Sequence, residues 1–162
     1  MNKNDRYDSL FKYYGEAIKV DWKLLKAQAR AESSMDPDAE SSVGAMGLCQ
    51  FMPATWYQDI RPKVVAFYEN NMGLRKYRKY LSPKDPEDAI VGQALYMKQL
   101  LGMFYGTEVA LAAYNWGMGN VRRLISRINS NHYNDLRANM PSETQSYIKI
   151  ILQYYKQIQE EQ

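Results

Sequence analysis

Cysteine occurs once in the 162 residues, at Cys49, and histidine once, at His132. A single thiol cannot close an intramolecular disulfide, and the pair cannot furnish a Cys/His zinc cluster. Cys49 therefore reads as a small buried hydrophobe, and His132, in the polar run 129–134, as a solvated loop residue. No uninterrupted apolar run is long enough to span a bilayer, so no transmembrane segment is expected. A surplus of one charge is missing too: 21 Lys and Arg face 18 Asp and Glu, for a net +3. Such a balance provides no global field of the kind that draws a chain to nucleic acid. What is present is apolar residues, 46% of the chain, enough for one domain over 1–162 with a real core.

The stretch 25–52, LKAQARAESSMDPDAESSVGAMGLCQFM, is the one the other segments are arranged around, and its centre is Glu32. Asp21 is placed to cap a helix that opens at Trp22. Leu25, Gln28, Ala29 and Glu32 fall at i, i+3, i+4 and i+7, so they share one face. A carboxyl group then sits at the C-terminal end of an apolar stripe, where the helix dipole offers a carboxylate nothing. Both effects predict an upward pKa shift, as a general acid working near neutral pH requires. The alternative is a surface Glu where a helix frays. After it, Pro37 disfavours a helical Asp36 and ends the helix. Gly44, Ala45 and Gly47 then allow close backbone approach.

These residues resemble a known family, the soluble lytic transglycosylases and their goose-type lysozyme relatives. The matching residues are Glu32-Ser33, Asp36-Pro37-Asp38-Ala39, Ser41, Gly44-Ala45-Met46-Gly47-Leu48-Cys49-Gln50 and Met52-Pro53-Ala54-Thr55. Cys49 departs from the Met usual there. Two later motifs continue the resemblance: Ala113-Tyr114-Asn115 followed by Gly117, and Pro141-x-Glu143-Thr144-x-x-Tyr147. Together they span about residues 21–155, far more than a lone short motif.

In chain order the pattern reads as helices joined by short turns. Tyr7, Leu10, Phe11, Tyr14 and Ile18 mark a first amphipathic helix. A short helical piece is expected around 48–52, and Pro53 begins another turn. The pattern weakens over 56–84, where a basic insertion at about 57–84 is expected. Seven basic residues (Arg61, Lys63, Arg75, Lys76, Arg78, Lys79, Lys84) meet one acid, Glu69, within 61–84. That stretch reads either as a solvated insertion or as a weak, salt-dependent hold on anionic wall polymers. With Tyr77 and Tyr80 it also looks like a nucleic-acid patch, but it is short for one, and no nucleic-acid partner is expected.

Asp85-Pro86-Glu87-Asp88 is a helix start, followed by a stripe of Ile90, Ala94, Met97, Leu101 and Phe104 that Gly106 ends. Thr107 is expected to cap the next helix, whose Val109, Ala110, Leu111, Ala112 and Ala113 are apolar all round and so belong at a domain centre. Tyr114 and Asn115 end it, and their polar tips need buried partners or a ligand. Val121, Leu124, Ile125 and Ile128 predict a core-facing helix. Ser142 with Gln145 reads as a capping box, and Ile148, Ile151, Leu152, Tyr155 and Ile158 as the face of the closing helix.

The resemblance implies an all-α, lysozyme-like fold with a groove, and cleavage of the β-1,4 bond between N-acetylmuramic acid and N-acetylglucosamine in peptidoglycan. Glu32 would be the catalytic residue, acting first as acid and then as base, with the C6 hydroxyl of muramic acid as nucleophile. Ser41 and Tyr114 would orient the acetamido group, and Gln50, Met52, Asn115, Glu143 and Tyr147 would line the groove. No metal or organic cofactor is required, and a monomer is expected. The rivals are a goose-type muramidase that uses water and a non-catalytic wall-binding virion protein. MNKNDRYDSLFKYYGEAI has no apolar core of signal-peptide type. The expectation is therefore synthesis in the cytoplasm, with a phage holin, a virion or a secretion machine carrying the protein to the wall. The same reading makes it a bacteriophage member of the family, active in lysis or wall penetration.

Overall fold

The computed structural model describes residues 2–73 and 80–161, and among these the regular structure is helical, apart from isolated bridges Glu40↔Met46 and Met46↔Phe51. The expected Arg75, Lys76, Arg78 and Lys79 patch and Tyr77 lie outside the described residues. The chain falls into two compact units, Met1–Tyr96 and Met97–Gln162.

In the first unit, helix α1 (Asp8–Ile18) buries Phe11, Tyr14, Gly15 and Ile18 and packs on α2 (Trp22–Ser33). Gly15 is what permits that approach: a Cβ there would lie 2.8 Å from Trp22 Cβ and 2.9 Å from the Val20 carbonyl. Asp21 caps α2 as expected, its side chain accepting from the Lys23 N–H at 2.9 Å. Lys26, on another face of α2, is buried yet paired with Asp5 at 2.8 Å and Asp8 at 2.7 Å. Burial alone would lower its pKa, but the two carboxylates outweigh that and raise it.

Pro53 begins a helical turn as expected, but residues 56–72 differ from the sequence expectation. Helix α3 (Pro53–Thr55) continues through a π-helical turn (Trp56–Ile60) into α4 (Arg61–Met72). Trp56, Ile60 and Val64 are fully buried and Tyr68 nearly so. This half of the expected insertion is thus a core element, its basic residues carried on the other face. Helix α5 (Pro86–Met103) starts as predicted, with the Asp85 side chain accepting from the Asp88 N–H at 3.0 Å. Its buried stripe contains Leu100 in place of the expected Leu101. Beside its start the Tyr14 hydroxyl donates to Glu87, and the Tyr68 hydroxyl donates to Asp88 at 2.8 Å. Burial pushes Asp88 up to about 6, against the bonds from Ser82 N–H and Tyr68 that pull it down.

In the second unit, α6 (Thr107–Trp116) packs on α7 (Met118–Ile128) and α9 (Ser142–Glu160), with α8 (Tyr133–Leu136) between the last two in sequence. Val109, Ala110, Leu111, Ala112 and Ala113 are all fully buried, as their all-round apolarity requires. Two predicted caps are not formed. Gly106, at φ 86°, stands at the cap position of α6, and Thr107 is the first helical residue. Pro141 precedes α9, and the Gln145 amide donates to the Met140 carbonyl at 2.9 Å instead of closing a box with Ser142. His132 is exposed, with its ring edge-on to Tyr105.

Candidate active site

Glu32 lies in the last turn of α2, half-buried, one turn beyond the fully buried Leu25, Gln28 and Ala29 on the predicted face. The helix stops sooner than Pro37 would dictate. Ser34 (φ 53°) and Met35 (φ 62°) both adopt the left-handed conformation, and Met35 turns its side chain into the core, 1% exposed. Two non-glycine residues in that region cost roughly 1–2 kcal/mol each, which the burial of Met35 helps offset. The Ser33 hydroxyl meets the Leu48 carbonyl at 2.8 Å and the Ala29 carbonyl at 3.2 Å. The end of the Glu32 helix is thereby fastened to the following loop.

That loop is tightly self-bonded. The Ser41 N–H donates to the Ala45 carbonyl at 2.9 Å, and the Ala45 N–H donates in return to Ser41 Oγ at 2.9 Å. Met46 and Phe51 pair in both directions, at 2.9 and 3.1 Å, so residues 48–50 form a turn and not the predicted helical piece. Gln50, at φ 52°, donates its amide to the Gly47 carbonyl at 2.9 Å and the Ala39 carbonyl at 3.2 Å. Its donors hold the loop, and only its oxygen is left for a ligand. Ser41, with its oxygen already accepting, can still donate its proton. Met52 stands 41% exposed. The neighbouring acids Asp36, Asp38 and Glu40 are all exposed, and Glu40 is engaged with Lys84 at 3.3 Å.

A buried polar group that the sequence reading missed bonds to the middle of α2. Gln93, fully buried on α5, donates to the Leu25 carbonyl at 3.0 Å and to the Gln28 side-chain oxygen at 2.9 Å. Its own oxygen accepts from the Cys49 thiol at 3.5 Å. The available signal was a lone amide inside the apolar run Ile90-Val91-Gly92-Gln93-Ala94. Cys49 is fully buried as expected, and burial, reinforced by the Glu32 charge, pushes its thiol pKa well up. A neutral thiol is a poor nucleophile. Cys49→Ala is therefore expected to keep wall-lytic activity while losing about 0.5–2 kcal/mol of stability, from one weak bond and a small cavity. Thermal melts and a wall-turbidity assay check this; a folded but inactive Cys49→Ala protein would assign the thiol a chemical role.

In the second unit, Tyr114 and Asn115 end α6 half-buried. The Asn115 side-chain oxygen accepts from the Thr144 hydroxyl at 2.9 Å, and Thr144 is 1% exposed. That bond joins Asn115 to the start of α9, which carries the exposed Glu143 and the half-buried Tyr147. The predicted residues thus form two sets. Glu32, Ser41, Gln50 and Met52 belong to the first unit, and Tyr114, Asn115, Glu143 and Tyr147 to the second.

Residues 9–136 match the family described as Transglycosylase SLT domain. Over 152 residues the chain is 32% identical to a membrane-bound lytic murein transglycosylase F of Maricaulis maris, covering 86% of this chain and 29% of that protein. It is also 32% identical over 153 residues to the soluble lytic murein transglycosylase of Escherichia coli K12, covering 91% and 22%. The chain therefore spans less than a third of the length of these relatives. Among solved structures, the 70-kDa soluble lytic transglycosylase from Escherichia coli matches with a TM-score of 0.71 at 30% identity, covering 93% of this chain and 24% of that one. A complex of the 70-kDa soluble lytic transglycosylase with bulgecin A matches at 0.73 and 29%, with the same coverage. The helical fold is accordingly the lysozyme-like one of those enzymes, and the chain belongs to the SLT transglycosylase domain family.

Proposed function

We propose that the protein is a peptidoglycan lytic transglycosylase, with Glu32 as its single acid and base. The observation that carries the proposal is the fixed end of α2. Glu32 is half-buried there, and Ser33 bonds its turn to the loop that presents Ser41 and Gln50. Membership of the family and the transglycosylase activity of its relatives support it.

Glu32 would protonate the glycosidic oxygen as the C1–O4 bond of N-acetylmuramic acid breaks. The resulting carboxylate would take the proton of the C6 hydroxyl as O6 attacks C1, forming the 1,6-anhydro ring with no water consumed. The attack is intramolecular, so proximity replaces the second carboxylate most glycosidases need. The Ser41 hydroxyl would donate to the acetamido carbonyl of the muramic acid, with Tyr114 alongside. Gln50, Met52, Asn115, Glu143 and Tyr147 would line the groove.

The competing reading is a muramidase in which water takes the place of the C6 hydroxyl. Mass analysis of the glycan products separates the two, because the anhydro product is one water lighter. Products of hydrolytic mass alone would exclude the transglycosylase. A phage-type role in lysis or wall penetration belongs to the same proposal, and the neighbouring genes test it: a holin gene supports lysis, virion structural genes support penetration.

A further inference from the structure

A cavity of about 500 Å3 opens in the unit 97–162 between residues 133–137, at and just after α8, and α9. It is lined by Tyr133, Arg137, Gln145, Ser146, Lys149 and the apolar Ile148 and Leu152, with no acid among them. At 100° per residue along α9, Gln145, Lys149 and Leu152 cluster on a face roughly 180° from Glu143 and Tyr147. The buried Thr144, Ile148 and Ile151 lie between the two faces. The cavity shares no lining residue with the groove assigned above.

Its polar groups hold unused donors. Among the described residues, the side chains of Arg137, Lys149, Ser146 and Tyr133 have no hydrogen bond or ion pair. Burial raises the Tyr133 pKa, partly countered by the Arg137 charge and reinforced by Glu108 at the start of α6. The phenol therefore stays a neutral donor facing Arg137. Such a surplus of donors calls for an acceptor-rich ligand, and a guanidinium fork beside an ammonium suits a carboxylate. The side-chain amide of the lining adds an acceptor to the hydroxyl oxygens of Ser146 and Tyr133. Gln145 spends its amide on the Met140 carbonyl, so its oxygen is left to receive an N–H. Ile148 and Leu152 offer an apolar floor for an alkyl side chain.

We propose that this cavity binds a carboxylate-bearing peptide: Arg137 and Lys149 take the carboxylate, Gln145 accepts a peptide N–H, and the floor takes the side chain. On the function proposed above, that peptide is the acidic stem attached to muramic acid, so the site would hold cross-linked wall while the groove works on the glycan. The stem identity rests on that reading; the preference for an acidic peptide does not.

The test is titration of the full chain with a synthetic acidic stem tetrapeptide, its carboxyl-amidated counterpart and a ribitol-phosphate oligomer. Binding is followed by calorimetry and by amide chemical shifts. The tetrapeptide is expected to shift resonances of Tyr133, Gln145, Ser146 and Lys149, with binding that weakens as salt rises. The amidated peptide should bind about tenfold more weakly or worse, as should the tetrapeptide to an Arg137→Gln/Lys149→Gln variant. Both residues are exposed, so the variant should fold, and circular dichroism checks it. Equal affinity for the acidic and amidated peptides, shifts confined to other surfaces, or tighter binding of the ribitol phosphate would each overturn the proposal. None of these readouts requires catalysis, so a failure here is distinct from failure of wall lysis by the wild type.

Discussion

Glu32→Gln is expected to abolish wall lysis while leaving the melting temperature within a few degrees of wild type. The amide matches the shape of the carboxyl group, and the α2 end is held by Ser33 and Met35, not by position 32 alone. Glutamine cannot donate a proton to the leaving oxygen. Loss of one general acid costs about 10²–10⁴-fold, and on the proposed mechanism the same group also serves as base. Glu32→Asp offers a second reading: it keeps the chemistry but draws the carboxyl back by about 1 Å, a displacement that can cost about 10²-fold. Rates are measured on purified sacculi, with circular dichroism and thermal melts alongside. A folded Glu32→Gln protein retaining more than about a tenth of the wild-type rate would remove Glu32 from the chemistry.

The largest effect on stability is expected at Gly47→Ala. Gly47 has φ 78°, and an added Cβ would fall 1.9 Å from the Pro83 carbonyl oxygen and 2.8 Å from its carbon. Those atoms are backbone and cannot swing away. The left-handed conformation costs an alanine roughly 1–2 kcal/mol, and forcing an overpacked contact apart adds roughly 1–3. The sum, about 2–5 kcal/mol, corresponds to a fall in Tm of roughly 4–20 °C for a chain of this size. Gly44→Ala is the control: its φ is 92°, but nothing lies within 4 Å of the added Cβ. Gly47→Ala must therefore melt well below Gly44→Ala. It should also lose activity, because Gly47 accepts the Gln50 amide and donates to the Ala39 carbonyl at 2.8 Å. Equal melting temperatures for the two variants would show that the contact with Pro83 is not made.

Local spacing alone determined much of this protein. The Asp21 cap, the face shared by Leu25, Gln28, Ala29 and Glu32, and the all-round apolarity of residues 109–113 depend on neighbours within a few positions. They appear in the structure as read. The family was legible for a related reason: its motifs are short, and each is contiguous in the chain. Tertiary structure decided where local signals were weak or where two distant segments compete. Pro37 was the visible stop for α2, yet the helix ends at Ser33, because turning there buries Met35. Residues 48–52 carry a helix-like run, but Phe51 satisfies its backbone on Met46. The basic charges of 61–84 suggested solvent, whereas Val64 and Tyr68 place one face of α4 in the core. Gln93 shows why such features escape a sequence reading. An amide in an apolar run is costly until its partners are known, and those partners, Leu25, Gln28 and Cys49, lie 68, 65 and 44 positions away. Spacing reveals which face of a helix shuns water; only packing reveals what covers that face and which polar groups can be buried there.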